Sequence, residues 1–375
     1  MMIRLLHSLP NIINKTFPIP ARFRSALPRD IAELSQLLTN KRGERSLSYL
    51  GRQNFLSAYL HYFLPWNLYR LCILLKDLDI KLLPNNTIID LGSGTLTLPA
   101  ALWIAYPNLR TIPLEFFCID RSGQALEAGK KFFNALAADS LWKINLVRKD
   151  IDINKNGVIH KGITSKNGAL VCAINLFNEI YEKVSYNNTG GLKQIASDSA
   201  KLMHTLAAEN GYILTVEPGV PQSGRFISFL RDEFIKLDRI PAAPCTHSGE
   251  CPLINSKSKK WCHFAHENFD PPKELVRLSA AAKLPKERLV YSYLLTNNAK
   301  KQTGKAARVI SDSFPLPGGK TGCYGCSEQG LVLLAQDKHN KEKILSGNLV
   351  KDFINTNKID VKSGALIIDL AGEKK

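Results

Sequence analysis

Apolar residues in the first quarter of the chain recur at helical spacing. Ile31, Leu34, Leu37 and Leu38 share one face of a helix opened by Pro28-Arg29-Asp30, and a second run from about Ser46 carries Tyr49, Leu50, Phe55, Leu56, Tyr59 and Leu60. Pro65 and Asn67 are expected to interrupt, with 68–78 completing a helix before the Pro84-Asn85-Asn86 turn. Stripes of this period are assigned to helix packing. At Thr87 the period changes. TIIDLGSGTLTLPAALWIAYP reads as a buried strand, a glycine turn and a helix, and LEFFCIDRSGQALEAGKKFFNAL repeats that unit with an acid at the strand end. INLVRKD, the apolar run 169–176 and the run 211–216 before EPG add further strands. Apolar strands alternating with helices predict a parallel sheet covered on both faces. Beyond about Ile240 the text turns rich in Pro and Cys, and after Leu331 two short strands, LVLLA and ALIIDL, flank a helix expected near 348–354.

Composition adds a partner. Fifty Lys and Arg against 33 Asp and Glu leave a formal charge of +17 on 375 residues, while 45% are hydrophobic and 22% charged. That balance excludes a disordered basic tail and points to a folded protein that meets a polyanion, with nucleic acid ahead of an anionic membrane face. The first 24 residues are basic and acid-free but hold three prolines and no secretory cleavage pattern; their composition also fits a mitochondrial presequence. With no apolar run of eighteen residues, no integral membrane association is expected. A reducing compartment follows from the thiols.

The glycine turn carries the first candidate site. In Asp90-Leu91-Gly92-Ser93-Gly94-Thr95 a strand precedes and a helix follows, so the turn lies at the carboxyl edge of the sheet and passes close to a ligand. Asp120 ends the next strand, where a carboxylate accepts from the hydroxyls of a ribose. Both dinucleotide and methyl-donor folds show that spacing. GSGTLT lacks the further glycine of a pyrophosphate loop, and Asp90 would repel a pyrophosphate yet meet an amino-acid ammonium, which favours S-adenosyl-L-methionine. The candidate cofactor set is Asp90, Gly92, Ser93, Gly94, Thr95, Asp120, Asp150 for an adenine amino group, and Asn178. Asn178 and Glu179 follow the fourth strand and are the catalytic candidates, with a helix cap as the plain alternative. No general base is named, so methyl transfer would rest on positioning and desolvation.

The cysteines carry the second. Cys72, Cys118 and Cys172 lie in apolar runs and read as packing residues. Cys245 and Cys251 in PCTHSGECPL and Cys262 in WCHF sit among polar and turn residues, with Cys323 and Cys326 able to return a fourth thiol. Zinc and a [4Fe-4S] cluster both fit four thiolates: Cys323-x-x-Cys326 has the form of a zinc half-site, and Cys251-Pro252 is of a kind found around iron–sulfur clusters. His247 and His263 are assigned to packing or hydrogen bonding. Lysines and arginines gather nearby, and Lys259, Lys260, Lys300, Lys301, Arg308 and Lys320 are the RNA-binding candidates. Trp261, Phe264, Tyr291 and Tyr293 are available for packing or for stacking on bases.

DLGSGT, the Asn178-Glu179 pair, EPG at 217–219, PCTHSGECPL and WCHF together resemble the ribosomal small-subunit assembly family of methyltransferase-like proteins, known from mitochondria and bacteria, over about 25–335. The resemblance implies an α/β class I SAM-dependent methyltransferase (Rossmann-like) fold with an N-terminal helical region and a C-terminal Cys-rich module. It also implies a [4Fe-4S] cluster held by Cys245, Cys251, Cys262 and Cys326, and association with the small ribosomal subunit and its rRNA; because the family-like helical text begins close to the N-terminus, a bacterial cytoplasm is favoured, with the mitochondrial matrix as the alternative. Cys323 stands where the family carries an apolar residue, and Arg308 matches an arginine ahead of the fourth thiol. The expected division is 1–84 helical, 85–240 SAM-binding, 241–330 four-cysteine with a basic surface, and 331–375 a small extension. The expected function is assembly-factor binding of rRNA by a chain monomeric off the ribosome; an active SAM-dependent rRNA methyltransferase and a zinc-containing RNA-binding protein are the alternatives.

Overall fold

The computed structural model describes residues 1–39, 49–153, 163, 167–185, 188–254, 260–267, 269–298, 306–340, 343–351 and 353–370. The chain parts into two compact units, one of residues 1–183, 206–208 and 267–289, the other of 184–205, 209–266 and 290–375.

The first unit begins with helices α1 (Met2–Thr16), α2 (Ala21–Arg24), α3 (Leu27–Leu38) and α4 (Gln53–Ala58), a π turn at Tyr59–Phe63, and α5 (Leu64–Leu75). In α1, Leu6, Leu9 and Ile13 recur on one face and are fully buried, each contributing about 1.5–3 kcal/mol of burial. The expected break at Pro65 does not occur. Pro65 sits in the first turn of α5, and the π turn just before it loosens the hydrogen-bond ladder that its ring and missing N–H would otherwise disrupt.

Next come β1 (Thr87–Leu91), α6 (Thr97–Ala105), β2 (Glu115–Asp120), α7 (Gly123–Leu136), β3 (Lys143–Arg148), β4 (Gly168–Ile174) and α8 (Phe177–Ile180). The four strands are parallel in the order β3-β2-β1-β4, with Ile89 opposite both Phe117 and Val171. This is the Rossmann-like arrangement, and every residue of β1 is buried, as a strand covered on both faces must be. Trp142 stacks on Phe116 and Phe133 and anchors one side of the sheet.

The second unit contains α9 (Thr189–Leu206), β5 (Ala207–Pro218), α10 (Pro221–Lys236), β6 (Ile240–Ala243) and β7 (Phe264–His266). Helix α11 (Lys273–Ala281) returns to the first unit, and β8 (Leu289–Asn297) pairs antiparallel with both β5 and β6 in the second. A second sheet uses β9 (Ala307–Val309), β10 (Phe314–Leu316), β11 (Lys320–Ser327), β12 (Gly330–Asp337), β13 (Leu349–Val350), β14 (Ile354–Ile359) and β15 (Leu366–Asp369), in the order β13-β9-β11-β12-β15-β14 with β10 on β11. Its core is Ala307, Val309, Cys323, Val332, Leu334 and Ile368. Strands β13 and β14 overturn the helix expected near 348–354: Leu349 and Val350 pair with Arg308 and Ala307, and Val350 and Phe353 pack on that core, a tertiary pull that a short apolar run does not announce. Nor do the five late cysteines, Cys245, Cys251, Cys262, Cys323 and Cys326, form a separate module among the described residues; they lie within the second unit.

Candidate functional site

In the first unit, the carboxyl ends of β1 and β2 build a crevice. The amides of Gly92 and Ser93 both donate to Ile119 O, at 2.9 and 3.0 Å, folding the glycine turn back onto β2. Gly94 has φ +50° and a Cβ there would meet nothing within 4 Å, so the turn presents bare backbone to open space. Helix α7 crosses tightly behind it: a Cβ on Gly129 would stand 2.4 Å from the Thr95 carbonyl carbon. Asp120 closes the turn, Oδ2 accepting from Gly94 N at 2.9 Å and Oδ1 from Ser122 N at 2.8 Å. Burial raises its pKa, and these two amides pull it back.

Asp90 lies beneath the turn, fully buried. Burial pushes its carboxyl up to about 7, against the pull of the Ser93 hydroxyl, which donates to Oδ2. Its Oδ1 is buried without a hydrogen-bond partner, as is Thr95 Oγ1. A buried carboxylate oxygen lacking a donor is costly. Together with the open space at Gly94 it fits the ammonium end of an amino-acid ligand. Asp150 is exposed at the end of β3, its Oδ1 accepting from Ile151 N. Glu179 pairs with Arg121 at 3.0 Å, and Asn178 is half-buried beside it in α8.

Sequence reasoning assigned Tyr59 to packing, yet it sits close enough to Glu179 and Asp120 for both charges to help raise its pKa, after burial, to about 12. Asn67 donates to the Tyr59 hydroxyl at 3.3 Å and accepts from Arg70. The π turn was the signal; such turns recur at functional sites, but nothing in the sequence marks one.

In the second unit, Cys245, Cys251, Cys262 and Cys326 line one small pocket with His247 and Arg231. Their donor chemistry, four soft thiols, fits zinc or an iron–sulfur cluster. As the side chains stand, no group of three or more His, Cys, Asp or Glu among the described residues is disposed to hold a metal ion. Burial pushes the Cys262 and Cys326 thiols well up, and neighbouring thiolates push them further. Arg231, buried in α10, was missed; its Nη2 donates to His247 O at 2.9 Å and to Gly249 O at 2.6 Å and so shapes the loop between the first two thiols. Arg308 donates to Pro244 O and Gly347 O, at 3.0 and 2.8 Å, holding the start of that loop. Ser292 Oγ donates to Cys262 O at 2.7 Å. His247 Nε2 lies 3.6 Å from Cys326 Sγ.

Strand geometry separates Cys323 from Cys326. Three residues apart on β11, they point to opposite faces. Cys326 reaches the pocket, whereas Cys323 enters the apolar core of the sheet. Of the RNA-binding candidates, Lys259, Lys300 and Lys301 lie outside the described residues. Lys320 pairs with Asp369 at 2.8 Å, Lys260 stands over the Tyr324 ring at 4.8 Å, and Arg308 is engaged as above. Phe264, Tyr291 and Tyr293 are buried against one another, which makes them packing residues.

A family model described as "Mitochondrial small ribosomal subunit Rsm22" matches residues 57–333, a span that includes the glycine turn and all four pocket cysteines. The chain belongs to this family. No curated protein matches the sequence. Among solved structures the chain is similar to a geranyl diphosphate methyltransferase with sinefungin (11% identity, 61% of this chain and 76% of that one, TM-score 0.31). It is also similar to precorrin-6y C5,15-methyltransferase from Geobacter metallireducens (14%, 61% and 86%, 0.31) and a putative sarcosine dimethylglycine methyltransferase from Galdieria sulphuraria (10%, 72% and 98%, 0.32). Likenesses this loose carry no functional weight. Among the described residues no helix is long and apolar enough to cross a membrane.

Proposed function

We propose that the protein is a small ribosomal subunit assembly factor that binds rRNA, keeps a SAM-binding crevice in its first unit, and holds a [4Fe-4S] cluster in its second. The family match over 57–333 carries this reading, and it favours the mitochondrial matrix where the sequence leaned to a bacterial cytoplasm. The donor part is supported by the partnerless Asp90 Oδ1 beside the open face of Gly94, with Asp90, Gly92, Ser93, Gly94, Thr95, Asp120, Asp150 and Asn178 as the residues that would hold it. The cluster part is supported by the convergence of Cys245, Cys251, Cys262 and Cys326 on one pocket. When bound, the cluster would tie four separate chain segments together.

A second reading, active rRNA methylation with Asn178 and Glu179 near the transferred group, is favoured by the same open crevice. Crosslinking to small-subunit RNA and methylation mapping, in a deletion strain and a Gly94→Arg strain, separate the two. An Arg at 94 projects into the crevice rather than the core. Assembly lost on deletion but normal in the point variant supports binding; loss of one methyl mark and of assembly in both supports catalysis; no RNA crosslink in wild type rejects both. Anaerobically purified protein that is colourless with stoichiometric zinc rejects the iron–sulfur assignment.

A further inference from the structure

We infer that Arg231 is a positioning and charge-compensating residue of the cysteine pocket: in the loaded site its Nε–H donates to the Cys245 sulfur, and its charge raises the reduction potential of the cluster. This rests on the [4Fe-4S] reading above and goes beyond it to what sets the electron affinity of that site. The Arg231 side chain is 3% exposed and lines the same pocket as the four thiols. Two of its three guanidinium nitrogens are committed. Nη1 donates to Asp232 Oδ1 at 2.8 Å, and Nη2 to His247 O and Gly249 O at 2.9 and 2.6 Å. Nε is buried without a hydrogen-bond partner. Shaping the 247–249 loop needs Nη2 alone, and a buried charged donor left over is costly unless an acceptor meets it. Cys245 is the matching acceptor. Burial raises its thiol, and Arg231, within hydrogen-bonding as well as charge reach, draws it back. A thiolate bound to iron keeps lone pairs for an N–H, so the same bond serves the loaded site.

The surroundings magnify this charge. Ile227, Leu253 and Leu294 make the lining apolar, and among the described residues no Asp or Glu belongs to it. Asp232 offsets part of the charge, but from a side chain 35% exposed, where water screens it. Arg308 adds a second positive charge within reach of Cys245 while its own N–H groups hold Pro244 O and Gly347 O. Four thiolates around an oxidised [4Fe-4S] core carry two negative charges in all. One added electron makes them three, with no bond broken and no proton moved. A fixed cation and a donated N–H beside one sulfur therefore stabilise the reduced form more than the oxidised form.

The test uses the full-length protein, reconstituted anaerobically with iron and sulfide and titrated with dithionite, the reduced cluster being read by electron paramagnetic resonance. The midpoint belongs to the loaded molecules, whatever fraction is loaded. Arg231→Gln is expected to lower it: at the wild-type midpoint the reduced-to-oxidised ratio should fall about tenfold, or about 59 mV for one electron. Arg231→Lys, which restores the charge and a donor, should recover at least half of that shift. An Arg231→Gln cluster with the wild-type midpoint overturns the inference, leaving Arg231 a bracket for the loop and the cluster standing. Equal shifts in both variants overturn it too, because a loop freed from its bracket would move both alike. If neither variant holds iron, wild type with arginine isotope-labelled in its guanidinium nitrogens decides: a nitrogen coupling to the reduced cluster supports the bond, and its absence overturns it. Wild type that takes up zinc and no iron overturns the cluster reading itself, and this inference with it.

Discussion

Gly129→Ala sets two known effects against each other at the glycine turn. In an ordinary helix interior the change stabilises by about 1 kcal/mol, because alanine is the better helix former. In α7 the new methyl would stand 2.4 Å from the Thr95 carbonyl carbon and 2.7 Å from its oxygen. Those atoms are backbone and cannot rotate aside, so helix and turn must separate, at a cost of about 1–3 kcal/mol or somewhat more. Because both contacts are with backbone, the upper part of that range, about 2–3 kcal/mol, applies, and the clash wins by about 1–2 kcal/mol. For a unit of this size, that lowers the melting temperature by about 2–8 °C. Separation also shifts Thr95 and Leu96, which hold the turn open, so affinity for S-adenosylhomocysteine should fall about tenfold. Scanning calorimetry and titration calorimetry read the two effects. Gly94→Ala is the control, with open space around it and only the left-handed φ to oppose it, about 1–2 kcal/mol. A Gly129→Ala protein that melts at or above the wild-type temperature with unchanged ligand affinity refutes the close approach.

Cys326→Ser should abolish iron retention, whereas Cys323→Ser should keep the iron and lose about 1–2 kcal/mol from placing a hydroxyl in an apolar core; metal analysis and urea unfolding decide, and iron lost only from the Cys323 variant reverses the ligand choice. Asp90 is harder to ionise folded, at about 7, than at its ordinary 3.8. Its charge therefore costs nothing below about pH 4, progressively more up to about pH 7, and a constant amount above. Asp90→Asn should gain stability over wild type across that window, and a gap that does not grow from pH 4 to 7 contradicts the burial argument. Arg231→Met removes charged hydrogen bonds to His247 O and Gly249 O and should destabilise the second unit by about 3–5 kcal/mol while lowering iron retention with all thiols present; full iron content would show that the loop does not need it.

Local chemistry was legible and long-range chemistry was not. The strand, glycine turn and acid of the first site announce themselves because each is a short-range pattern, and the structure places Asp90, Gly94 and Asp120 together at one sheet edge. Tyr59 and Arg231 escaped because each sits in an amphipathic helical stripe and gains its role only from a partner far along the chain, Glu179 for the first and the 247–249 loop for the second. The Cys-x-x-Cys spacing misled for a different reason. It makes a metal half-site in a turn, but in an extended strand a separation of three residues puts the two thiols on opposite faces. Which backbone Cys323 and Cys326 would adopt depends on pairing with β9 and β12, and that pairing is not written between them.

The groups at the crevice mouth bear on catalysis. Asp120 already accepts from two backbone amides, Glu179 is paired with Arg121, and the Tyr59 hydroxyl is pushed to about 12, so it stays protonated at neutral pH. An acceptor that must shed a proton as it attacks, such as a ribose hydroxyl, needs a base free to take it near the operating pH; these three are already engaged or protonated, and Asp90, at about 7 with its Oδ1 unpartnered, is the group that the donor's ammonium would occupy in the proposed binding mode. A ring nitrogen with its own lone pair needs no base; it requires only to be held in line and stripped of water. If this crevice transfers a methyl group, the acceptor it suits is therefore a base nitrogen. Mass-spectrometric mapping that finds a deletion-sensitive 2′-O-methyl mark, absent also in Gly94→Arg, would mean that one of the three carboxylate or phenol groups is released from its present partner when RNA binds.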